Sequence, residues 1–358
     1  RLLAGLFVTV PLGNLFFWGN FNVLANPADP TDGLLGQFGP FYHFDLLAPV
    51  AVFGAAGAVG LWRRRDAFGR PLRGVVPDGG RRAIAVSVLL VAVVVSVGFN
   101  AALLSGPVDR NGAHTESYED AYAPFEETAF ENAVVFLPMP YGPWLNHPFQ
   151  YLRNDPGLDG EVVYALDRGT GGDFEVLDAA GDRTPYRYAY RGEWTGDPEN
   201  REVAARLQRL TVSEGRSVGA NTTVGVPDRV SHAVVRIETD DGYGTHTVED
   251  PTGSVPVEWT FSHDGVSVDR VAGVAVENVT AETDPFEEVV LTVRLVQQGA
   301  GTLTYRQEVD IQRTETGVSV IWPPERTVCP VVDDCGREGT YLPDHHREGV
   351  SFETTLTT

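Results

Sequence analysis

The chain has 358 residues, with 27 basic side chains against 49 acidic ones, so its formal net charge is −22. Every basic residue among them is Arg, and the chain contains no Lys. This balance argues against nucleic acid as a partner, because phosphate binding needs a basic surface. A hydrophobic fraction of 42% excludes a disordered chain.

The charge is distributed unevenly. Residues 1–105 carry 8 Arg and 5 Asp, a net of +3, so residues 106–358 hold 19 Arg and 44 acidic residues, a net of −25. The two parts are expected to be separate structural regions that join near residue 105. The acidic, Lys-free composition is typical of halophilic proteins, whose carboxylates keep the surface hydrated in concentrated salt.

Three apolar stretches predict transmembrane helices, at about 2–18, 46–62 and 83–105. The third has 23 residues without a charge, which is enough to cross a hydrocarbon layer of about 30 Å. Trp18 and Trp62 stand where interfacial aromatic residues are expected. A signal peptide is the competing interpretation of the first stretch, but two more spans follow it.

The loops between these spans predict the orientation. Residues 63–82 contain seven Arg and two Asp, which favours the cytoplasmic side, whereas residues 19–45 carry three Asp and no Arg and form an outer loop. Residues 106–358 are therefore expected to be extracytoplasmic, and the lipid bilayer is an expected partner. The chain begins with Arg1 and enters a span at once, as a piece of a longer multi-pass protein of the cell membrane would.

Two further features fit an extracytoplasmic location. Cys329 and Cys335 are the only cysteines, and they are expected to form a disulfide, since their spacing without matched His is unlike a zinc site. Asn221 and Asn278 begin N-glycosylation sequons.

The extracytoplasmic region is predicted in two segments. Residues 106–200 form an α+β segment, with a short helix interrupted at Pro124 and strands at 133–138, 161–167 and 186–194. Residues 201–358 form an immunoglobulin-like β-sandwich with a C-terminal tail, because eight short alternating segments follow one another between turn residues. Trp259 lies in the middle of one segment and is expected in the core.

Candidate site residues fall in two places. His43 and Asp45 lie where the outer loop enters the second span, where polar groups tend to be functional, although Asp45 as a helix N-cap is an equal alternative. The second group lies in a loop rich in Pro, Gly and aromatic residues, which either packs over a sheet edge or contacts a sugar, a peptide or the membrane; its members are Tyr141, Trp144, His147, Asn154 and Asp155.

Motifs for other chemistry are missing from the sequence. There is no Walker-type phosphate loop, GxSxG or HExxH. His345 and His346 beside Asp344 are better explained by an exposed polar turn than by a metal. No metal site and no cofactor are predicted, and a divalent metal stays an open alternative.

Four segments resemble a known family: Glu131–Leu137, Leu152–Gly160, Val163–Asp167 and Gly181–Tyr188. They are similar to the region after the last spans of polytopic glycosyltransferases that use lipid-linked sugars, the dolichyl-phosphate-mannose-protein mannosyltransferase-like family (family 39) and its haloarchaeal relatives. The resemblance covers roughly residues 20–190.

The resemblance implies a polyprenyl-phosphate sugar as donor and a glycan or protein as acceptor. In that family an Asp or Glu in the first outer loop acts as base toward the acceptor hydroxyl. No residue here matches that loop, so no catalytic residue is assigned, and outer loop 19–45 is expected beside the lipid-phosphate site.

Two hypotheses follow. The first is the C-terminal membrane and extracytoplasmic portion of such a glycosyltransferase, with the catalytic loop not contained in this chain. The alternative is a membrane-anchored extracytoplasmic β-sandwich that binds ligands or builds a surface structure without enzymatic activity. A transporter accessory is a third possibility, but the spans lack the charges that would couple transport.

Overall fold

A computed structural model describes residues 2–19, 41–64, 77–139, 152–192, 203–297, 299, 301–332, 335–343, 345–346 and 348–357. The chain divides into two compact units, and the division falls between Thr115 and Glu116. The first unit is helical where it is described, and the second is mainly β.

The first unit is built from apolar helices. They are α1 (Leu2–Trp18), α2 (Leu47–Arg63), which follows a 3-10 turn at Phe41–Leu46, and the beginning of α3 (Asp78–Glu127). Two stretches are long and apolar enough to cross a membrane: Tyr42–Arg63, 22 residues with mean hydropathy 1.8, and Ala83–Ala102, 20 residues with mean hydropathy 2.5. The helix α1 is also apolar but has 17 residues.

These helices expose large apolar side chains. Phe16 is 84% exposed and Val94 is 70% exposed. Such surface is unfavourable in water and favourable in hydrocarbon. The two to three apolar helices therefore fit a membrane protein.

The helix α3 corrects the prediction for residues 106–130. We expected a separate short helix after residue 105, interrupted at Pro124, but one helix of 50 residues runs through both points. Its last turns are stabilised by packing, since Ala121 and Phe125 lie in a hydrophobic cluster and the Tyr188 hydroxyl donates a hydrogen bond to the Ala121 carbonyl (2.8 Å). Tertiary contacts of this kind outweigh local helix-breaking preferences.

The second unit begins with a four-stranded sheet and one helix. The strands are β1 (Ala133–Leu137), β2 (Val162–Leu166), β3 (Thr184–Arg191) and β4 (Ala204–Arg209), and the helix α4 (Thr170–Ala180) lies between β2 and β3 in the chain. The strand order is β2-β1-β3-β4, with β1 parallel to β2 and to β3, and with β3 antiparallel to β4. The helix α4 was not predicted.

Both faces of this sheet are covered. Val135 and Leu137 of β1 pack in the cluster that contains the end of α3, whereas Val134 and Phe136 pack with Phe174 of α4. All five residues of β1 are therefore buried, as is typical of a strand with layers on both sides.

The rest of the second unit is β-rich. Its strands are β5 (Thr211–Gly215), β6 (Ser217–Val226), β7 (Val230–Thr239), β8 (Gly242–Glu249), β9 (Gly253–Ser262), β10 (Gly265–Val271), β11 (Val274–Ala275), β12 (Thr280–Ala281), β13 (Phe286–Gln297), β14 (Thr302–Arg313), β15 (Val318–Trp322), β16 (Glu325–Cys329) and β17 (Phe352–Thr357). One sheet has the order β11-β10-β9-β6-β17, with β12 beside β10. The other has the order β5-β15-β14-β13-β7-β8, with β16 beside β14.

The two sheets share one hydrophobic core. Alternate residues of β6 and β9 on one sheet, and of β7, β13 and β14 on the other, belong to a single buried cluster. Trp259 is 1% exposed in this cluster, as expected. The segment Leu207–Glu214, which we interpreted as one strand, is divided between β4 and β5 in different sheets. The strands β8 and β10 were not predicted as separate strands.

A polar relay lies inside this apolar core. The indole Nε1 of Trp259 donates to the hydroxyl of Thr222 (3.2 Å), and that hydroxyl donates to Oε1 of Gln307 (3.2 Å). All three side chains are buried. Since a buried donor without a partner is costly, Thr222 stabilises both of its neighbours.

We predict that Thr222→Val lowers the free energy of unfolding by about 1–3 kcal/mol, because the indole N–H loses its acceptor. Thermal unfolding of the purified chain in detergent measures the effect. Thr355→Val is the matched control, since Thr355 is exposed on the adjacent strand β17. Equal melting temperatures for the two variants would contradict the relay.

Candidate functional site

A cleft of the second unit that is rich in charged side chains lies where β3 and β4 face β14 and β16. One cavity of about 400 Å³ is lined by Arg206 and Gln208 of β4, by Arg326 of β16, and by the 3-10 turn Gly336–Gly339. A smaller cavity of about 160 Å³ shares Met139, Glu308, Glu325 and Arg337 with it. We call the two cavities together the charged cleft.

Arg187 occupies the centre of the buried side of this cleft. Its side chain is 5% exposed, and its guanidinium lies 3.2 Å from Asp310, 3.4 Å from Glu325 and 4.0 Å from Asp167. It also donates to the carbonyl of Pro323 (3.0 Å). Burial alone would lower the pKa of Arg187, but the surrounding carboxylates raise it. Arg187 is therefore a permanently charged link between β3 and the seven-stranded sheet.

Strand register brings the carboxylates together. Glu288 of β13 pairs with Asp310 of β14, and Glu308 of β14 pairs with Glu325 of β16. Cross-strand partners share one face of a sheet, and like charges placed opposite each other repel. Arg306 of β14 pairs with Glu308 on the same strand (2.6 Å), and Arg187 supplies a further cation from the neighbouring sheet.

Asp173 adds a further buried carboxyl from the first turn of α4. It is 2% exposed, and its Oδ1 accepts a hydrogen bond from the backbone N–H of Arg168 (3.3 Å). Burial, followed by repulsion from Asp167 and Asp310, raises the pKa of Asp173 to about 8. Asp173 is therefore protonated in the folded protein at neutral pH.

Glu325 also titrates near neutrality. Burial is the main cause, Asp167 adds repulsion, and Arg187 opposes both, so that the pKa of Glu325 is raised to about 7. Carboxyl groups that exchange protons near pH 7 and line a cavity are typical of functional sites, although structural ion-pair networks produce them too.

The larger cavity is also lined by basic side chains, and we call their surroundings its basic part. Arg206 and Arg326 line it together with Tyr341. The guanidinium of Arg326 lies over the Tyr341 ring, 5.0 Å from its centroid, and donates to the Phe352 carbonyl. Burial, and then the charge of Arg206, lowers the pKa of Arg326 to about 10.

A disulfide forms the wall between this cavity and a neighbouring one. Cys329 and Cys335 are bonded, as expected, with 5.7 Å between their Cα atoms. Gly339 lies against the bond, since a Cβ at that position would overlap Sγ of Cys335. Beyond the wall, His346 stacks on Tyr341 at 4.7 Å, and burial with the charge of Arg191 lowers the pKa of His346 to about 4.

The predicted site residues do not meet in this cleft. His43 and Asp45 belong to the first unit, in the 3-10 turn before α2. The N-cap of α2 is Leu46, which makes no side-chain capping bond, so the alternative role of Asp45 as N-cap is wrong. Tyr141, Trp144 and His147 lie outside the described residues.

Asn154 and Asp155 are engaged in shaping their own loop. The Asn154 side chain exchanges two hydrogen bonds with the backbone of Tyr164 (2.8 and 2.7 Å). Asp155 accepts hydrogen bonds from the backbone N–H groups of Gly157 (2.9 Å) and Gly160 (2.8 Å). Burial opposes them, but these bonds and one from Asp159 lower the pKa of Asp155.

The two sequons differ in accessibility. Asn221 is half-buried within β6, between β9 and β17, whereas Asn278 is exposed in a turn with a φ of 60°. Asn278 is therefore the more accessible acceptor in the folded protein. Among the described residues, no group of three or more His, Cys, Asp or Glu is arranged to hold a metal ion.

The cleft residues escaped the sequence interpretation for a physical reason. In YRYAYRGEW, Arg187 alternates with the aromatic residues and therefore lies on the opposite face of the strand. The alternation predicts that this face is exposed to solvent, but a second sheet covers it. Glu308 and Asp310 of β14 alternate with apolar residues, as the solvent-facing residues of an exposed strand would. An Arg between aromatic residues, on a strand expected to be covered on both sides, is the pattern that would have indicated Arg187 and the cleft around it.

Comparison with known proteins gives one result. Residues 133–309 match the model of a family described as a domain of unknown function, DUF7846. The matched range begins at β1 and ends within β14, so it includes the four-stranded sheet and much of the β-rich part. No curated protein and no solved structure gives a significant match.

We predict that Asp173→Asn flattens the dependence of stability on pH. The folded-state pKa of about 8 lies above the ordinary value of 3.8, so the folded protein holds a proton that the unfolded chain releases. Wild-type stability therefore falls as pH rises through this window. The variant should melt at about the same temperature as wild type at or below pH 3.8, and at an increasingly higher temperature as the pH rises to 8.5.

Asp178→Asn is the control for this titration, because Asp178 is exposed on the same helix. Its melting curve should follow that of the wild type at every pH. If Asp173→Asn also followed the wild type, the buried carboxyl would not be the titrating group.

We predict that Gly339→Ala destabilises the disulfide wall by about 1–3 kcal/mol, because the added methyl group has no space. Gly301→Ala is the matched control, since its Cβ would meet only ordinary contacts, 3.8 Å from the Pro330 carbonyl. Thermal unfolding and thiol alkylation with and without reductant measure the outcome. Similar stability of both variants would show that the residues around the disulfide can shift to admit the methyl group without a loss of stability.

Proposed function

We propose that this chain is the C-terminal membrane and extracytoplasmic portion of a membrane glycosyltransferase. The donor is a polyprenyl-phosphate-linked sugar, and the catalytic loop lies in a part of the protein that this chain does not contain. The enzyme class rests on the resemblance to the mannosyltransferase-like family 39. The structure adds one observation in support.

That observation is that the segments of the resemblance are bonded to one another. Arg183 donates to the carbonyls of Ala133 (3.2 Å), Gly160 (2.9 Å) and Leu158 (3.0 Å). One guanidinium therefore joins three of the four segments, since Arg183 itself belongs to the last of them. We call this set of bonded segments the Arg183 corner.

The remaining segment is also bonded into the corner. Asn154 exchanges hydrogen bonds with the backbone of Tyr164 in β2, and Asn132 donates to Asp182 (3.1 Å). Residues that build one corner of a fold constrain one another. The corner supports the proposal, because segments that depend on one another in a fold are expected to be retained together.

The finer features of the fold belong to the same proposal. The helix α1 joins the two longer apolar stretches as a third membrane span, and the Arg-rich segment 63–82 places the second unit outside the cytoplasm. The β-rich part is an immunoglobulin-like sandwich, supported by two antiparallel sheets around a core that contains Trp259. The composition supports a halophilic source, and the resemblance to haloarchaeal proteins supports an archaeal one.

The alternative function is a membrane-anchored binding protein without enzymatic activity. The charged cleft favours it, because a site rich in charged side chains recognises ligands without any catalytic step. In both proposals the second unit binds a polar ligand. They differ in whether sugar transfer occurs in the same polypeptide.

We expect the coding DNA upstream of Arg1 to continue in frame, with further membrane spans and an acidic residue in the first outer loop. Membranes that contain the complete protein should transfer labelled sugar from a polyprenyl-phosphate donor. Replacing that acid by its amide should reduce transfer by about 100-fold or more, as expected for the loss of a general base.

Arg209→Gln is the control for this assay, because Arg209 is exposed on β4, and it should transfer sugar like the wild type. A start codon directly before Arg1 would remove the glycosyltransferase proposal and leave the anchored binding protein. Transfer by this chain alone would show instead that the catalytic groups lie within it.

A further inference from the structure

The basic part of the charged cleft contains two half-buried cations without acidic partners, Arg206 and Arg326. Within the described part of the chain, no carboxylate pairs with Arg206 or Arg326, in contrast to Arg187, which lies among carboxylates. The Nε atoms of both side chains are shielded from water and have no hydrogen-bond partner. The hydroxyl of Thr327, which lines the same cavity, is also without a partner.

This arrangement is costly without a ligand. A buried guanidinium loses its hydration, and a second cation beside it adds repulsion. Burial lowers the pKa of Arg206 as well, which expresses the same cost. Buried polar groups that stay unpaired in a native protein call for an explanation, such as a bound ion or ligand.

An oxyanion would meet these needs together. Carboxylate, sulfate and phosphate groups accept several hydrogen bonds, and guanidinium groups bind them in preference to other cations. The hydroxyl of Thr327 offers a further donor. The chemistry of this part of the cavity therefore selects an anionic group.

The size of the cavity and its acidic side chains describe the rest of the ligand. A volume of about 400 Å³ is of the size of small-molecule sites and far exceeds one inorganic anion. Glu308 and Glu325 line the same cavity, and carboxylates are strong acceptors for hydroxyl groups. An anionic group bound by Arg206 and Arg326, together with hydroxyl groups bound by the carboxylates, describes an acidic sugar.

We propose that the larger cavity of the charged cleft binds an acidic saccharide. The acid group lies at Arg206 and Arg326, and the sugar hydroxyls donate to Glu308 and Glu325. This inference deepens the proposed function, since it names the class of glycan that the second unit recognises. It rests on the proposed function only in taking the ligand to be a sugar.

The test is calorimetric titration of the complete chain in detergent with D-glucuronate, D-galacturonate, glucose 6-sulfate and glucose 6-phosphate. At least one of them should bind and should raise the melting temperature. The neutral amide or the parent glucose should bind at least about tenfold more weakly, which corresponds to the loss of one charge-assisted hydrogen bond. Inorganic phosphate and potassium chloride are titrated separately.

Arg206→Met is the decisive variant, because it keeps an unbranched apolar stem and removes the charged guanidinium group. It should weaken binding at least about tenfold. Without ligand it should melt at or above the wild-type temperature, since it removes an unpaired half-buried cation. Arg209→Met, on the exposed side of the same strand, should bind and melt like the wild type.

Four results would overturn the inference. They are no binding of any acidic sugar, equal binding of acidic and neutral sugars, binding of inorganic anions alone, and unchanged binding by Arg206→Met. No sugar transfer is measured here, so failure of this test leaves the proposed enzyme class standing. Conversely, a start codon before Arg1 would overturn the proposed glycosyltransferase function, but the cavity would still be expected to bind an acidic saccharide.

Discussion

The burial of Arg187 is the constraint around which the second unit is organised. Its guanidinium is the cation that faces Asp310, Glu325 and Asp167 across the junction of two sheets. Without it, three adjacent strands would present an acidic face with repulsion between neighbours. The position of Arg187 on β3 therefore fixes how the four-stranded sheet meets β14 and β16, and so fixes where the charged cleft opens.

The cations of the cleft differ in their partners. Arg187 lies among carboxylates, and the pKa values of its neighbours Asp173 and Glu325 are raised to about 8 and about 7, whereas no carboxylate pairs with Arg206 or Arg326 in the described part of the chain. Two guanidinium groups thus stay without an acidic partner in a cavity that is also lined by Glu308 and Glu325. Such an arrangement costs stability, and proteins commonly retain that cost where a ligand recovers it.

Much of the architecture could be predicted from the sequence because it follows from local patterns. The strands β1 and β2, the core position of Trp259 and the disulfide follow from apolar runs, alternation and cysteine count. The helix α4 could not be predicted, since its sequence TGGDFEVLDAA begins with a Gly pair and is held by the buried side chains Asp173 and Phe174. The residues that line the cleft are determined by which sheet covers which face. The local sequence pattern of a strand does not contain that information.

The pairing of β17 with β6 has a consequence for the order in which the protein folds. Phe352 pairs with Val224, far away in the chain, and its backbone also contacts Arg326 and Tyr341 at the basic part of the cleft. Contacts between distant segments form late, because long loops must close first. The cavity is therefore completed only after β17 docks, so a chain whose C-terminal strand has not yet paired lacks both the finished cavity and the core residue Phe352.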